Sequence, residues 1–200
     1  MCRYVPIWRQ VGAHLRTYLN TGGGIGHLYV RPYGLSLDHV IQITFVDYRG
    51  QVLIANNSTN PQLFFALRGG GGGSYGIVVE WTLQLVTVPS TVSWFKIDIT
   101  ASSDNFMAYQ NWIPNMPDQL STTLYFGSGN VMQLLGVCMC NMSTVVNTLN
   151  SQFPAATPTS SNTFEGGWVD AALAFSDLQS TNPADLNTRQ EPTYKYVIRL

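Results

Sequence analysis

Alternating apolar and β-branched positions predict a series of short β-strands in this chain. The stretch from Val40 to Asp47 (VIQITFVD) and the stretch from Val52 to Ala55 both have this pattern, and Gly50 lies in the polar turn between them. β-Branched residues favour strands, and glycine supplies the backbone angles that tight turns need. The two stretches are therefore predicted to form a hairpin. Similar patterns predict further strands over residues 77–86, 92–99, 124–126 and 132–140.

Apolar residues spaced three and four positions apart predict short helices between the strands. The first begins at Pro61, because the first turn of a helix does not need the N–H that proline lacks, and it ends near Arg68. Three more helices are predicted over 106–113, entered at Ser103 or Asp104, over 143–153, capped by Ser143, and over 168–178. This pattern of helices and strands indicates an α+β fold.

Composition divides the chain at Pro89. A glycine-rich segment precedes Pro89, and a segment with few glycines follows it. We interpret the two segments as incomplete subdomains, over residues 21–90 and 91–200, after an unmatched leader at residues 1–20.

Charge and hydropathy narrow the class of protein. Apolar residues make up 45% of the 200 positions, which is enough for a core, but only 10% are Asp, Glu, Lys or Arg, against roughly 25% in an average globular protein. The net charge of -1 leaves no basic stripe for nucleic acid. No apolar run approaches the roughly 18 residues of a membrane span. The low charge favours an extracellular protein.

The three cysteines, Cys2, Cys138 and Cys140, cannot all pair within the chain, because their number is odd. Cys138 and Cys140 lack the spacing of zinc sites, and the histidines lack ligand spacing too, so no metal site is predicted. On an alternating strand both thiols would face the same side. We favour two buried strand cysteines over a redox pair.

Two glycine-rich stretches are the strongest candidates for binding. The first covers residues 22–26 (GGGIG), and the second covers residues 69–73, followed by Ser74-Tyr75-Gly76. Backbone without Cβ atoms can approach a flat ring or a phosphate, and successive N–H groups can bind an anion. Neither stretch is a P-loop, and the second has the reverse order of a dinucleotide-binding turn. A structural turn and a ligand loop both stay open, and the entropy cost of ordering the second stretch favours the ligand loop.

These stretches are part of a longer pattern that resembles a known family. Its motifs are GGGIG at 22–26, YGLSLDHV at 33–40, Gly50, NPQLFFALRGGG at 60–71 and YGIV at 75–78. Their order and spacing over residues 21–90 are similar to those of FAD-linked oxidases of the berberine bridge enzyme-like group, which have the FAD-binding domain of vanillyl-alcohol oxidase and p-cresol methylhydroxylase (PCMH). Trp112 with Pro117-Asp118 and residues 165–175 are similar to parts of the family's substrate domain.

The resemblance implies a fold and a function. The fold is the second half of a PCMH-type FAD-binding domain, followed by part of a substrate domain with an antiparallel sheet and helices. The function is oxidation of a C–H or alcohol group by hydride transfer to FAD, with dioxygen as acceptor and a carbohydrate, an alkaloid or another alcohol as substrate. The catalytic residue is unknown. The cofactor contacts implied are Gly22, Gly23, Gly24 and Gly26 beside the flavin and pyrophosphate, Gly34, Leu35 and Asp38 in the neighbouring wall, and Gly76, Ile77 and Val78 at the adenosine end.

The chain also departs from the family pattern. Family members have an N-terminal FAD subdomain with a flavin-bonding His, and a Cys shortly before the first glycine loop, whereas residues 11–20 contain no Cys. The usual catalytic Tyr or Glu would follow residue 200. We therefore expect a chain truncated at both ends. One rival function is a non-catalytic remnant that does not bind FAD, and another is an extracellular glycan-binding module.

Several side chains near the motifs have two interpretations. Asp38 is favoured as a turn cap over a catalytic group, and Arg68 as a helix C-cap over a phosphate partner. His39 is favoured as a polar wall residue, whereas Tyr75 suits stacking on the cofactor and a core position equally. The predicted core tryptophans are Trp94, Trp112 and Trp168.

Three N-glycosylation sequons fit a secreted parent protein. Two overlap in Asn56-Asn57-Ser58-Thr59, and the third is Asn141-Met142-Ser143. The overlapping pair is predicted to lie in an exposed loop after the hairpin. Residues 1–11 lack the apolar stretch of a signal peptide, so the extracellular location is expected from the parent family alone.

Overall fold

The computed structural model describes residues 3–4, 29–70 and 73–175, and it has the α+β fold that the sequence predicts. Two 3₁₀ helices cover Ser36–His39 and Ile113–Asn115. The α-helices are α1 (Val30–Tyr33), α2 (Pro61–Gly70), α3 (Ser103–Trp112), α4 (Met142–Gln152) and α5 (Trp168–Ala174). The strands are β1 (Arg3–Tyr4), β2 (Val40–Val46), β3 (Val52–Ala55), β4 (Ile77–Leu83), β5 (Val86–Thr87), β6 (Val92–Thr100), β7 (Leu120–Phe126), β8 (Val131–Cys138) and β9 (Thr163–Gly166).

These strands form three antiparallel sheets, with the orders β1-β5, β3-β2-β4 and β7-β8-β6-β9. The chain divides into two compact units. The described part of the first unit comprises residues 35–70, 73–85 and 172–175. The described part of the second unit comprises residues 3–4, 29–34 and 86–171. No helix among the described residues is long and apolar enough to cross a membrane.

The first unit contains the β3-β2-β4 sheet and α2. Ile43 and Phe45 of β2 alternate with more exposed neighbours, so they lie on one face of the sheet. Both are fully buried, together with Phe64 and Leu67 of α2. Burying one such side chain contributes about 1.5–3 kcal/mol. This apolar face therefore fixes α2, and with it the start of the second glycine stretch.

The second unit contains the four-stranded sheet, and α3 and α4 pack on one of its faces. Trp112 at the end of α3 stacks on Phe153, with ring centroids 5.1 Å apart, and its Nε1 donates a hydrogen bond of 3.0 Å to Gln152. Trp112 is buried as predicted, but Trp94 and Trp168 are only half-buried, so their assignment to the core is wrong. The core of this unit includes Phe95, Ile97, Ile99, Tyr109, Leu134, Val145 and Leu149.

The two central strands of this sheet, β6 and β8, pack closely at a glycine. Gly136 of β8 pairs with Phe95 of β6, and the Phe95 ring lies over the glycine. A Cβ atom at Gly136 would be 2.7 Å from Cε2 of that ring, which is closer than real Cβ contacts. Glycine at this position is therefore required by packing.

The helix caps differ from the predicted residues. Ser102, with extended backbone, is the N-cap of α3, because its side chain accepts a hydrogen bond from Asn105 N, so the predicted Ser103 and Asp104 are helical residues. Asn141 caps α4 by accepting from Thr144 N at 3.0 Å, in place of the predicted Ser143. Runs of adjacent capping residues occur at both sites, and the backbone path decides which of them serves.

The sequence patterns fail to predict some of the observed helices and strands. The helix α1, both 3₁₀ helices and β9 are not predicted, and β7 begins at Leu120 rather than near Leu124. The predicted strand over 77–86 is divided, since β4 ends at Leu83 and β5 begins at Val86. The predicted helix over 168–178 is observed as Trp168–Ala174, and residues 176–178 lie outside the described residues.

Arg31 explains why residues 29–34 group with the later part of the chain. Its guanidinium donates hydrogen bonds to the carbonyl oxygens of Ile113, Met116 and Pro117, and it forms an ion pair of 3.6 Å with Asp118. These contacts tie α1 to the second 3₁₀ helix and to the residues that follow it. The sequence-based division at residue 90 places Arg31 with the FAD-binding segment, whereas its packing partners lie at residues 113–118.

Two cysteines that are separated by one residue form a disulfide. Cys138 and Cys140 are bonded, with a Cα–Cα distance of 5.0 Å. The favoured interpretation as two free, buried strand cysteines is wrong. The physical reason is that β8 ends at Cys138, so the strand alternation that would hold the two thiols apart on one face stops before Cys140.

Replacing Gly136 by alanine is expected to destabilise the chain by about 1–3 kcal/mol, the usual cost of overpacking a core. The reason is that the new Cβ would displace the Phe95 ring. Urea unfolding followed by circular dichroism measures the change. Gly127→Ala is the matched control, since its Cβ would make only an ordinary contact of 3.4 Å with Val131 O. Equal stability of the two variants would contradict this packing role.

The disulfide predicts that Cys138 and Cys140 resist alkylation in denaturant until a reductant is added. Peptide mass spectrometry without reduction should find the peptide that contains both residues two hydrogens lighter than its dithiol form. The same peptide should take up two alkyl groups after reduction. Alkylation of both residues in the unreduced chain would show that the bond is absent.

Candidate functional site

Part of the predicted cofactor site lies outside the described residues. This part comprises Gly22, Gly23, Gly24, Gly26, His27, Gly71 and Gly72. Their predicted roles remain predictions. The structure does describe the other candidates, which fall into two groups around the ends of β2.

The first group is the turn before β2. Asp38 Oδ2 accepts a hydrogen bond of 3.0 Å from Leu35 N, and Leu35 O accepts one of 3.0 Å from Asp38 N. Asp38 is exposed and closes this 3₁₀ turn, so the favoured interpretation of Asp38 as a turn cap is confirmed. His39 is half-buried, and its carbonyl oxygen accepts from Gln84 N at 2.7 Å. The role of Leu35 and Asp38 toward a cofactor stays a prediction.

Gly34 lies immediately before this turn. It ends α1, where its N–H donates a hydrogen bond of 2.7 Å to Val30 O, and its φ of 78° lies in the region that favours glycine. Gly34 groups with the second unit, whereas Leu35 and Asp38 group with the first. The end of α1, which needs this backbone angle, therefore explains why residue 34 is a glycine.

The second group lies at the start of β4, where Gly76 immediately precedes the strand and Ile77 and Val78 are its first residues. Ile77 pairs with Val46 and Val78 pairs with Phe45, and Val78 is buried in the core whereas the Ile77 side chain is 68% exposed. The backbone of Gly76 lies against β2, because a Cβ there would overlap Val46 O and would be 2.6 Å from Cζ of Phe45. The protein's own packing therefore requires glycine at position 76.

The two groups lie at opposite ends of the same strand. Asp38 precedes Val40, the first residue of β2, whereas Gly76 contacts Val46, the last residue. A seven-residue strand rises by about 3.4 Å per residue, which separates the groups by roughly 20 Å. One ligand could contact both groups only if it were long and extended along the sheet.

The glycines of the second stretch differ in whether another side chain lies beside their backbone. A Cβ at Gly70 would be 2.9 Å from the hydroxyl oxygen of Tyr75, so the Tyr75 ring covers this backbone. The Tyr75 side chain is otherwise half-exposed, and Ser74 Oγ donates a hydrogen bond of 2.7 Å to Gly70 O. A Cβ at Gly69 or at Gly73 would meet nothing within 4 Å. Internal packing thus explains Gly70 but leaves open space beside Gly69 and Gly73.

Arg68, at the start of this stretch, has an unsatisfied donor. Its guanidinium carbon lies 4.4 Å from the centre of the Phe64 ring, so the side chain stacks on its own helix. Its Nε is buried and has no hydrogen-bond partner among the described residues. Arg68 lies in the last turn of α2, and its interpretation as a C-cap stays a prediction, because Gly71 and Gly72 lie outside the described residues. A buried guanidinium N–H without a partner points to an anionic or carbonyl ligand.

Three tyrosines among the described residues have a shifted pKa. Burial raises the pKa of Tyr29, of Tyr33 and of Tyr109, and the hydrogen bond between Tyr109 and Thr122 opposes the shift at Tyr109. All three phenols therefore stay protonated at neutral pH. No group of three or more potential metal ligands occurs in the described part of the chain.

A further surface was missed by the sequence patterns. Trp94 of β6 pairs with Phe164 of β9, and their rings stack at a centroid distance of 6.0 Å, with Phe164 41% exposed. Farther along β6, on the same face, Gln133 donates a hydrogen bond of 2.8 Å to the exposed Asp98. This face lies opposite the one covered by α3 and α4. Alternation in β6 could have suggested it, but the partner strand β9 had no strand pattern.

Comparisons with known proteins relate this fold to a family. No protein-family model matches the chain. Berberine bridge enzyme-like 25 of Arabidopsis thaliana is 33% identical over 184 residues, which are 86% of this chain and 32% of that protein. The structure of Physcomitrella patens BBE-like 1 aligns with a TM-score of 0.80 and 26% identity over 92% of this chain and 41% of its own. Phl p 4, described as a grass pollen allergen with glucose dehydrogenase activity, aligns with a TM-score of 0.75 and 31% identity over 86% of this chain and 35% of its own.

These similarities define the class of protein. The antiparallel sheets and helices are those of the PCMH-type fold that the sequence predicts. Over most of its length, the chain is homologous to berberine bridge enzyme-like proteins, and the family resemblance is confirmed. The chain spans about one third of the length of the curated relatives that it matches.

Replacing Gly76 by alanine is expected to destabilise the chain by about 2–3 kcal/mol, because the Cβ would overlap Val46 O and the φ of 154° disfavours a side chain. Thermal or urea unfolding measures this change. Gly73→Ala is the control, with open space around its Cβ, and it should leave stability within about 0.5 kcal/mol of the parent. A stable Gly76→Ala variant would show that this glycine is not needed for packing.

Proposed function

We propose that the chain supplies part of an FAD-binding site of a flavin-dependent oxidoreductase. The observation that carries the proposal is the segment from Arg68 to Val78, where a buried guanidinium N–H without a partner adjoins a glycine stretch with open space beside its backbone. Homology to berberine bridge enzyme-like proteins supports the choice of cofactor at the level of the family.

The residues of this segment fit an anionic dinucleotide. Arg68 is the only charged residue between Pro61 and Val78, so no carboxylate opposes a phosphate there. Exposed backbone N–H groups in a glycine run can bind phosphate oxygens, and a guanidinium adds a strong, charge-assisted hydrogen bond. Arg68 would therefore hold a phosphate oxygen, and the backbone at Gly69 and Gly73 would lie against the ligand.

The two groups at the ends of β2 suit the length of the same ligand. A dinucleotide is extended enough to pass from Gly76–Val78 at one end of β2 toward Leu35 and Asp38 at the other. Gly22, Gly23, Gly24 and Gly26 would complete the contacts with the flavin and pyrophosphate.

The proposed reaction is the oxidation of an alcohol or C–H group. Bound FAD would accept the hydride, and dioxygen would be the final acceptor. The substrate would be a carbohydrate, an alkaloid or another alcohol. A carbohydrate is supported by two observations. One is the glucose dehydrogenase activity described for Phl p 4. The other is the stacked Trp94 and Phe164 on the same sheet face as polar Asp98 and Gln133, since aromatic rings suit sugar rings and polar groups suit hydroxyl groups. We also propose a secretory, glycosylated protein.

Titration of the full 200-residue chain with FAD tests the proposal. We expect saturable binding, seen as quenching of flavin fluorescence and as flavin absorption retained after gel filtration. Arg68→Met keeps an apolar side chain on Phe64 but removes the N–H donors. It should weaken FAD binding about 10–100-fold, because a hydrogen bond to a charged group contributes about 1.5–3 kcal/mol.

Arg49→Met is the matched control. Arg49 lies 5.0 Å over the Tyr48 ring in the exposed β2–β3 turn, so the variant removes the same charge from a similar stacked contact in the same unit. Its FAD affinity should equal that of the parent. A folded chain that binds no FAD would favour the non-catalytic remnant, and saturable oligosaccharide binding without flavin would favour the glycan-binding module.

A further inference from the structure

Two overlapping sequons lie in the loop that joins β3 to α2. Asn56-Asn57-Ser58 and Asn57-Ser58-Thr59 share two residues, so the sequence alone gives two neighbouring amides as acceptors for one glycan. The loop belongs to the first unit and lies between Ala55, which is buried, and Pro61, which is exposed. The two asparagines differ in their hydrogen bonds, and this difference distinguishes them as glycan acceptors.

The side chain of Asn56 makes hydrogen bonds that hold the loop and join it to the sheet. Its Oδ1 accepts hydrogen bonds of 2.9 Å from Ser58 N and 2.7 Å from Thr59 N, and its Nδ2 donates one of 3.2 Å to Gln42 Oε1 on β2. Its backbone N–H also donates to Thr59 O at 2.8 Å. Asn56 is half-buried. A sugar on its Nδ2 would have to occupy the space beside Gln42 and would break the bond between the loop and the sheet.

Asn57 differs from Asn56 in both hydrogen bonding and exposure. Its side chain is exposed and makes no hydrogen bond with any described residue, and Ser58 and Thr59 are exposed beside it. The loop is held by Asn56, so a substituent on Asn57 would extend into solvent without disturbing the turn. The Ser58 and Thr59 side chains also make no hydrogen bond with the described residues, because both residues bond to Asn56 through backbone atoms only.

We propose that Asn57 is the N-glycosylation site of this loop and that Asn56 is not modified. The proposal rests on the secretory route proposed above, but not on FAD binding. The donor is a polyprenyl-diphosphate-linked oligosaccharide. The Asn57 Nδ2 forms a bond to the anomeric carbon of the first N-acetylglucosamine, the bond from that carbon to the phosphate oxygen breaks, and polyprenyl diphosphate leaves as one proton is lost from Nδ2.

The overlap permits a pair of single substitutions that separate the two acceptors. Ser58→Ala destroys the Asn56 sequon and keeps the Asn57 one, whereas Thr59→Ala destroys the Asn57 sequon and keeps the Asn56 one. Both replaced side chains are exposed, and the turn uses only their backbone atoms. The two variants therefore have the same expected stability and differ only in which sequon remains.

The full chain, expressed behind a cleavable signal peptide in cultured eukaryotic cells, is recovered from cells and medium together and mapped by glycopeptide mass spectrometry. We expect a glycan on the peptide of residues 50–68 in the parent and in Ser58→Ala, and its loss in Thr59→Ala and Asn57→Gln. Retention in Thr59→Ala, loss in Ser58→Ala, or an unmodified peptide in the parent would each overturn the assignment.

The third sequon is measured on a separate peptide and provides an internal comparison. Asn141 is the N-cap of α4, and its Oδ1 accepts from Thr144 N, Thr144 Oγ1 and Ser143 Oγ, so the sequon hydroxyl is already engaged. Its occupancy does not bear on the choice between Asn56 and Asn57. FAD titration of the glycosylated and the enzymatically deglycosylated chain keeps the two proposals distinct, because loss of the glycan should leave flavin binding unchanged.

Discussion

A buried phenylalanine ring lying over a residue without a Cβ is the contact on which both larger sheets depend. In the first unit, Phe45 of β2 occupies the space beside Gly76, and in the second unit, Phe95 of β6 covers Gly136. Both rings are almost fully buried on internal strands. Pairing an aromatic ring with a glycine on the next strand fills the gap that glycine leaves and fixes the register of the two strands. The positions of α2, α3 and α4 follow from the faces that these registers define.

Much of the secondary structure could be predicted because it is a local property of the sequence. The β-branched runs of β2, β3 and β6 and the apolar spacing of α2 lie within a few residues of their observed bounds. The elements that were missed depend on distant partners. The strand β9 exists because β6 offers an unpaired edge, and Arg31 fixes α1 by contacts with residues more than eighty positions away. The Cys138–Cys140 disulfide likewise depends on where β8 ends.

The glycine-rich motifs show how far a site can be inferred from such patterns. Sequence reasoning leaves a structural turn and a ligand loop both open for these stretches, because a sequence does not show whether a cofactor or a side chain occupies the space beside a glycine. The structure divides them. Tyr75 occupies the space beside Gly70, and Phe45 and Val46 occupy the space beside Gly76. Gly69 and Gly73, in contrast, adjoin open space. Only this distinction in three dimensions separates glycine that is needed for packing from glycine that is available to a ligand.

The same distinction applies to polar side chains, and it links the two proposals. Asp38 and Asn56 have motif positions that suggest chemistry, but each already satisfies backbone groups of its own turn. Arg68 and Asn57 lie beside similar motifs and have hydrogen-bonding groups that no described residue uses. A buried donor without a partner costs free energy unless a ligand meets it, whereas an exposed amide costs nothing when water meets it. Burial therefore supports the proposed anion contact of Arg68, and exposure supports the proposed covalent substituent on Asn57.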